Sequence, residues 1–236
     1  MSAPRERSSG YVVAWLTAAA NLIAAICLAT ILRPGLPGQG RSGAERVSYI
    51  SRHIWVWRLG WISWHAAALT LIALFVVLAL HERDRTPALA VLALSCAGAG
   101  LAADLSAEAA LIALLPGLSG TAFVHAERAA LLITGDVANG LYSLAGLFLT
   151  LAMWRSIGPG LRAVAMVVWI AGFALSAATI VDSTTGEAAA TAIVLPAFVL
   201  YAVLIGRWLR TENASSGVAR NGAPSPQRQQ HPYPGK

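Results

Sequence analysis

The sequence predicts an all-α polytopic membrane protein: a bundle of six spanning helices followed by a disordered C-terminal tail. Three observations predict it. Of the 236 residues, 57% are hydrophobic and only 12% are charged, about half the charged share of an ordinary soluble domain. The apolar residues gather in long blocks, and a hydrocarbon core of about 30 Å takes roughly 20 apolar residues per helix. The net charge of +6 is scattered between those blocks, as loop charge is in membrane proteins. Together these exclude a disordered chain, a nucleic-acid-binding domain and a typical cytosolic enzyme. Six blocks fill the chain and leave no room for a separate soluble domain.

The elements follow in order. Residues 1–10 form a polar N-terminal tail with Arg5 and Arg7. The first block, 11–32, has no charge until Arg33. It exceeds the apolar run of a signal peptide, about 7–15 residues, and reads as a retained helix. A Gly-, Pro- and Arg-rich loop follows, whose end (44–53) reads as a short interfacial helix. The second span, 54–80, is long enough to tilt or to begin in the headgroup layer. A charged hinge, His81 to Arg85, leads to Pro87, which suits the first turn of a third helix over 87–116. Residues 105–117 fit either the end of that span or a re-entrant or interfacial turn. The fourth span is expected over 129–154, the fifth over 161–181 and the sixth over 187–209, with Pro196 placed to kink it. Residues 211–236 are rich in Ser, Asn, Pro, Gln and Arg and read as a disordered cytoplasmic tail. No internal repeat stands out.

Loop charge sets the expected orientation. With six helices both termini lie on one side. That side carries eleven Lys and Arg, against five on the other. Both termini are therefore expected in the cytoplasm. The Arg-, Ala- and Gly-rich composition points to a bacterial inner membrane. Trp15, Trp154, Trp169 and Trp208 read as interfacial anchors, and Trp55, Trp57, Trp61 and Trp64 mainly as an aromatic belt.

Ionisable groups inside a bilayer are expensive and usually face the bundle interior. Six residues form the candidate site: Arg58 and His65 on the second span, Asp104 and Glu108 on the third, Asp136 and Asn139 on the fourth. Asp104 and Glu108 are four apart and share a helical face, as do Arg58 and His65, seven apart. Asp136, Asn139 and Ser143 form a stripe at helical spacing. Alternation of the helices puts all of them in one half of the membrane, with Asp182 and Glu187 flanking the turn on that side. Arg58 is expected to pair with Asp136 or Asp104. Gly98, Gly100, Gly140, Gly146, Gly172 and Ser176 are expected at close helix contacts.

Catalytic patterns are weak. Gly117-Leu118-Ser119-Gly120 resembles the Gly-x-Ser-Gly of rhomboid proteases, but the sixth helix lacks the base His. His125-Ala126-Glu127 lacks the Cys pair of a zinc deaminase. No His-x-x-x-His or Glu-x-x-His spacing supports a metal. The only Lys is Lys236, so there is no phosphate-loop Lys and no intramembrane Schiff base. Cys27 and Cys96 lie inside apolar blocks and read as packing residues.

Trp57-Arg58-Leu59-Gly60-Trp61, Glu127-Arg128 and Asn139-Gly140-Leu141-Tyr142 resemble stretches of uncharacterised multi-spanning bacterial integral membrane proteins. The resemblance implies a membrane-embedded bundle and carries no activity or functional residue with it.

The expectation is a protein that binds or moves a small ligand or a proton through a polar cavity in one half of the bilayer. It needs no cofactor, no metal and no nucleic-acid partner, and the lipid bilayer surrounds it. The alternatives are an accessory subunit whose polar cluster only locks the bundle, and a membrane-embedded metal-dependent hydrolase.

Overall fold

The computed structural model describes residues 10–221, with side chains through residue 212. Among the described residues the chain is helical and has no strand. Helix α1 covers Gly10–Cys27, α2 Gly43–Arg52, α3 Ile54–Glu82 and α4 Pro87–Ala109. Helix α5 covers Gly120–Leu132, α6 Asn139–Ala152, α7 Pro159–Ile180 and α8 Thr184–Asn221. Six stretches are long and apolar enough to cross a membrane: Gly10–Gly35, Ile54–Glu82, Pro87–Gly117, Gly120–Ala152, Pro159–Ile180 and Thr184–Glu212. The protein is a six-span bundle, with α2 lying between the first two spans.

Three spans contain a π-helical turn, over Leu28–Leu32, Ala110–Leu114 and Ile133–Ala138. The first two sit at matching corners. Leu32-Arg33-Pro34-Gly35-Leu36 recurs as Leu114-Leu115-Pro116-Gly117-Leu118. In each, the π turn runs into a tighter 3₁₀ turn containing the proline. The chain then leaves in an extended leucine, with φ −89° and ψ 158° at Leu36 and φ −99° and ψ 157° at Leu118. Proline ends both helices because it has no N–H to continue the ladder. A five-residue string is too short to register as a repeat in sequence; its backbone makes it one.

The third span is therefore continuous, running from Pro87 through the π and 3₁₀ turns to Gly117. The fourth begins at Gly120, nine residues before the expected 129. Glu127 and Arg128 precede that expected start, yet both lie inside α5. The fold absorbs them: Glu127 pairs with Arg46 of α2 and Arg128 with Asp182. Helix α8 starts at Thr184 and passes the expected end at 209, reaching Asn221. The expected disordered tail thus overlaps helix up to that point, and residues 222–236 lie outside the described residues. So do residues 1–9 of the N-terminal tail.

Two apolar clusters hold the bundle. One fills the half nearer the termini: Leu74, Phe75 and Leu78 of α3, Leu149 of α6, Trp169 of α7, and Tyr201 of α8. Trp169 is buried there among Phe75, Phe198 and Tyr201, so it is a core residue and not an interfacial anchor. The second cluster lies under α2: Leu32, Ile50, Trp57, Leu111, Leu115 and Phe123. Lipid tails are as apolar as these side chains, so packing and small residues decide which faces meet. A Cβ at Gly146 would come within 2.3 Å of the Trp169 ring, and one at Gly172 within 2.1 Å of Ser143 Oγ. Gly98, by contrast, faces open space.

Helix α2 is fixed at both ends. Ser42 caps it, accepting from the Glu45 amide at 3.3 Å, while the Glu45 carboxylate accepts from the Ser42 amide at 2.7 Å. Tyr49 Oη donates to the Ile31 carbonyl at 2.7 Å.

Candidate functional site

Between the two clusters lies a cavity of about 270 Å³, lined by all six spans. Its bottom is aromatic: Trp169 and Phe198, backed by Tyr201 and Phe75. Trp169 Nε1 donates to Thr150 Oγ1 at 2.8 Å, which fixes the ring over Gly146. From that floor the cavity reaches the loops of the α2 face at Leu36, Thr179 and Glu187.

One wall carries the polar cluster. Tyr142 of α6 crosses α4 at Gly100, where a Cβ would come within 2.9 Å of the ring. That crossing carries the phenol one turn along α4, and Tyr142 Oη donates to Asp104 Oδ2 at 3.2 Å. Thr134 donates its hydroxyl to the other oxygen, Oδ1. Asp104 and Glu108 are both buried, at 7% and 1% exposure. They share a face but divide their partners. Asp104 turns to α6, while Glu108 Oε2 meets Nδ1 of His65 on α3.

Asn139 sits at the start of α6. Its Nδ2 donates to the Gly172 carbonyl at 2.7 Å and to Ser176 Oγ at 3.0 Å. Ser176 Oγ in turn donates to the Asp136 carbonyl at 3.2 Å, inside the third π turn. These bonds pin α6 to α7 and return a partner to a carbonyl freed by the wider turn.

Four of the six expected site residues lie at or beside the cavity: His65, Asp104, Glu108 and Asn139. Asp104 and Asn139 line the cavity, and the His65–Glu108 pair stands behind Asp104. Arg58 is elsewhere. Its Nε donates to the Ile112 carbonyl at 3.3 Å and its guanidinium stacks over Trp55 at 5.1 Å. The expected ion pair with Asp136 or Asp104 does not form, because Trp57 takes the inward face and turns Arg58 toward the end of the third span.

Asp136 also stands apart. It makes no side-chain hydrogen bond or ion pair among the described residues and does not line the cavity. The stripe Asp136, Asn139, Ser143 assumes 3.6 residues per turn. The π turn over Ile133–Ala138 breaks that register, leaving Asn139 and Ser143 on the lining and Asp136 off it. Starting at Gly120 also puts Asp136 sixteen residues into the span, ~24 Å down, twice the expected depth.

Sequence reasoning missed the hydroxyls that hold Asp104, since Thr134 sits in the π turn, and it left Glu187 at the turn although it lines the mouth. Glu187 lies beside Thr179 and Arg128. Arg128 itself donates to the Thr179 carbonyl at 2.9 Å and pairs with Asp182 at 2.8 Å. Asp182 holds φ +58°, the left-handed turn that ends α7. The tryptophan belt also divides. Trp55 is exposed, Trp57 is buried with its Nε1 2.9 Å from the Leu111 carbonyl, and Trp61 and Trp64 line the cavity.

No group of three or more His, Cys, Asp or Glu among the described residues is arranged to hold a metal ion. Cys27 and Cys96 are both free thiols. No protein family, no curated protein and no solved structure matches this chain.

Proposed function

We propose that this is a bacterial inner-membrane protein with both termini in the cytoplasm, and that it binds a small ligand in the cavity on the opposite, α2-bearing half of the bundle. One observation carries the reading. The space drawn from all six spans combines an aromatic floor with Asp104, Asn139, Ser143 and Glu187 on its walls and mouth. A packing defect in a bundle has no reason to gather polar groups, and a few polar groups in an otherwise apolar concavity is what fixes a ligand's orientation. Buried polar side chains in a membrane are costly and tend to mark such sites. The accessory-subunit and hydrolase alternatives have no comparable support in the geometry.

Cysteine accessibility tests it. In a variant with Cys27 and Cys96 replaced by Ala, Thr191→Cys on the lining reacts with a membrane-impermeant thiol reagent added from outside the cell. Ala202→Cys, packed beneath the floor, does not. Ser51→Cys on the exposed face of α2 serves as the accessible control. Labelling of Thr191→Cys from the cytoplasmic side, or none where Ser51→Cys reacts, overturns the reading.

A further inference from the structure

The charge of the cavity decides what it takes, and the argument rests on its being a ligand site. The chain as a whole is basic, with a net charge of +6. The cavity is the reverse. Asp104 lies on its wall and Glu187 at its mouth, and among the described residues neither arginine nor lysine lines it. Glu108 stands behind Asp104 and Asp182 beside the mouth. Four carboxyl groups thus gather around one guanidinium and one imidazole.

Both basic groups are engaged. Arg128 is held by Asp182 and the Thr179 carbonyl, and His65 by Glu108. An anionic ligand would find no free cation to compensate its desolvation. A cation would find carboxylates at two depths, with the faces of Trp61, Trp64, Trp169 and Phe198 along the walls. Aromatic faces attract organic cations, most strongly where water is excluded.

A second observation narrows the class. Four indoles in this part of the bundle are comparable. Trp57 donates to the Leu111 carbonyl and Trp169 to Thr150. The Nε1 atoms of Trp61 and Trp64, both on the cavity lining, are buried without an acceptor among the described residues. A buried donor left without a partner is destabilising. Those donors are closed off from the cavity as well, so a ligand meets the rings of Trp61 and Trp64 and not their N–H groups. The volume, about 270 Å³, sits at the small end of ligand pockets.

We propose that the cavity binds a small organic cation, an amine or ammonium compound with an apolar body. Glu187 receives the charge at the mouth, Asp104 faces it within, and the rings of Trp61 and Trp64 lie along the apolar body.

Three probes of one shape test it: 2-amino-1-phenylethanol, the neutral 1-phenyl-1,2-ethanediol and the anion mandelate. Each is titrated against tryptophan fluorescence of the full-length protein in nanodiscs of zwitterionic lipid. The amine is expected to bind saturably, about tenfold tighter than the diol, with mandelate not binding. Glu187→Gln, at the mouth and outside the packed core, is expected to remove most of the amine's advantage and leave the diol unchanged. Trp64→Ala, which removes a ring from the wall, is expected to weaken amine and diol alike.

Equal binding of amine and diol, or binding of mandelate, overturns the cation assignment. So does an unchanged amine affinity in Glu187→Gln. In each of those cases protection of Thr191→Cys by the bound probe leaves the cavity reading standing. No probe binding with Thr191→Cys still reactive overturns the cation assignment alone. No probe binding with Thr191→Cys unreactive overturns both.

Discussion

Trp57 Nε1 donates to the Leu111 carbonyl at 2.9 Å, and the next residue, Arg58, donates to the carbonyl of Ile112 at 3.3 Å. Both acceptors lie in the π turn that loosens the end of the third span. The other two π turns have the same arrangement: Tyr49 reaches the Ile31 carbonyl and Ser176 the Asp136 carbonyl. In lipid no water can satisfy a carbonyl released from its ladder, so a neighbouring side chain must. Each irregular turn is therefore tied to the element beside it.

Trp57→Phe keeps the ring volume class and deletes the donor. The Leu111 carbonyl is then buried without this partner, and unfolding in detergent is expected to fall by about 1–3 kcal/mol. Trp57→Ala adds a cavity and is expected to cost about 3–5 kcal/mol. Equal midpoints for wild type and Trp57→Phe would show that the bond contributes nothing.

Two glycines two residues apart on α4 are expected to respond in opposite directions. Gly98 faces open space, so Gly98→Ala gains helix propensity, up to about 1 kcal/mol. Gly100 carries the Tyr142 ring, so Gly100→Ala must displace it and is expected to cost about 1–3 kcal/mol. Loss of the Tyr142 contact with Asp104 should also change tyrosine absorbance near 280 nm, read by difference spectroscopy.

Arg46 and Glu127 form a buried pair between α2 and α5, at 7% and 3% exposure. Glu127→Leu strands the guanidinium and is expected to cost about 3–5 kcal/mol. Adding Arg46→Met should restore most of it, since an apolar contact replaces both charges. Asp136 has no such partner among the described residues, and Asp136→Asn is expected within about 0.5 kcal/mol of wild type. The two pairs of unfolding midpoints check both statements.

The α2 cap is expected to weaken in acid. The Ser42 amide, then its hydroxyl, hold the Glu45 carboxyl below its ordinary value of 4.5, with Arg41 adding attraction. A carboxyl whose folded value is depressed contributes stability above its unfolded value, and that contribution is lost as pH falls through the folded one. Protection of the first-turn amides of α2, measured against the unstructured exchange rate at each pH, should therefore fall below about pH 4.5. Glu45→Gln should show the lower protection already at neutral pH and little further change in protection on acidification.

The helices were legible in sequence because hydropathy over a span is a sum, and a sum tolerates local error. Where single residues decided, legibility fell. Asp104 and Glu108 were readable as a pair because α4 is regular through Ala109. Asp136 was misplaced because the π turn over Ile133–Ala138 leaves the composition unchanged while rotating the helix beyond it. Arg58 was misassigned because a charge pair seemed the natural partner, whereas a carbonyl and an indole ring served. The start of the fourth span was hidden because Glu127 and Arg128 look like loop charges until Arg46 and Asp182 are beside them. Long-range partners of that kind have no local signature.

The floor of the cavity governs how anything could travel further. Trp169 is fixed by Thr150 at 2.8 Å and rests on Gly146, where no side chain shares the slot. Phe75 and Tyr201 stand nearly edge-on to it, at 65° and 76°. In this conformation the bundle is a cup, closed below the indole by the packed cluster that fills the half nearer the termini. Turning the indole alone would uncover more core and no passage, so in this conformation the mouth is both entrance and exit.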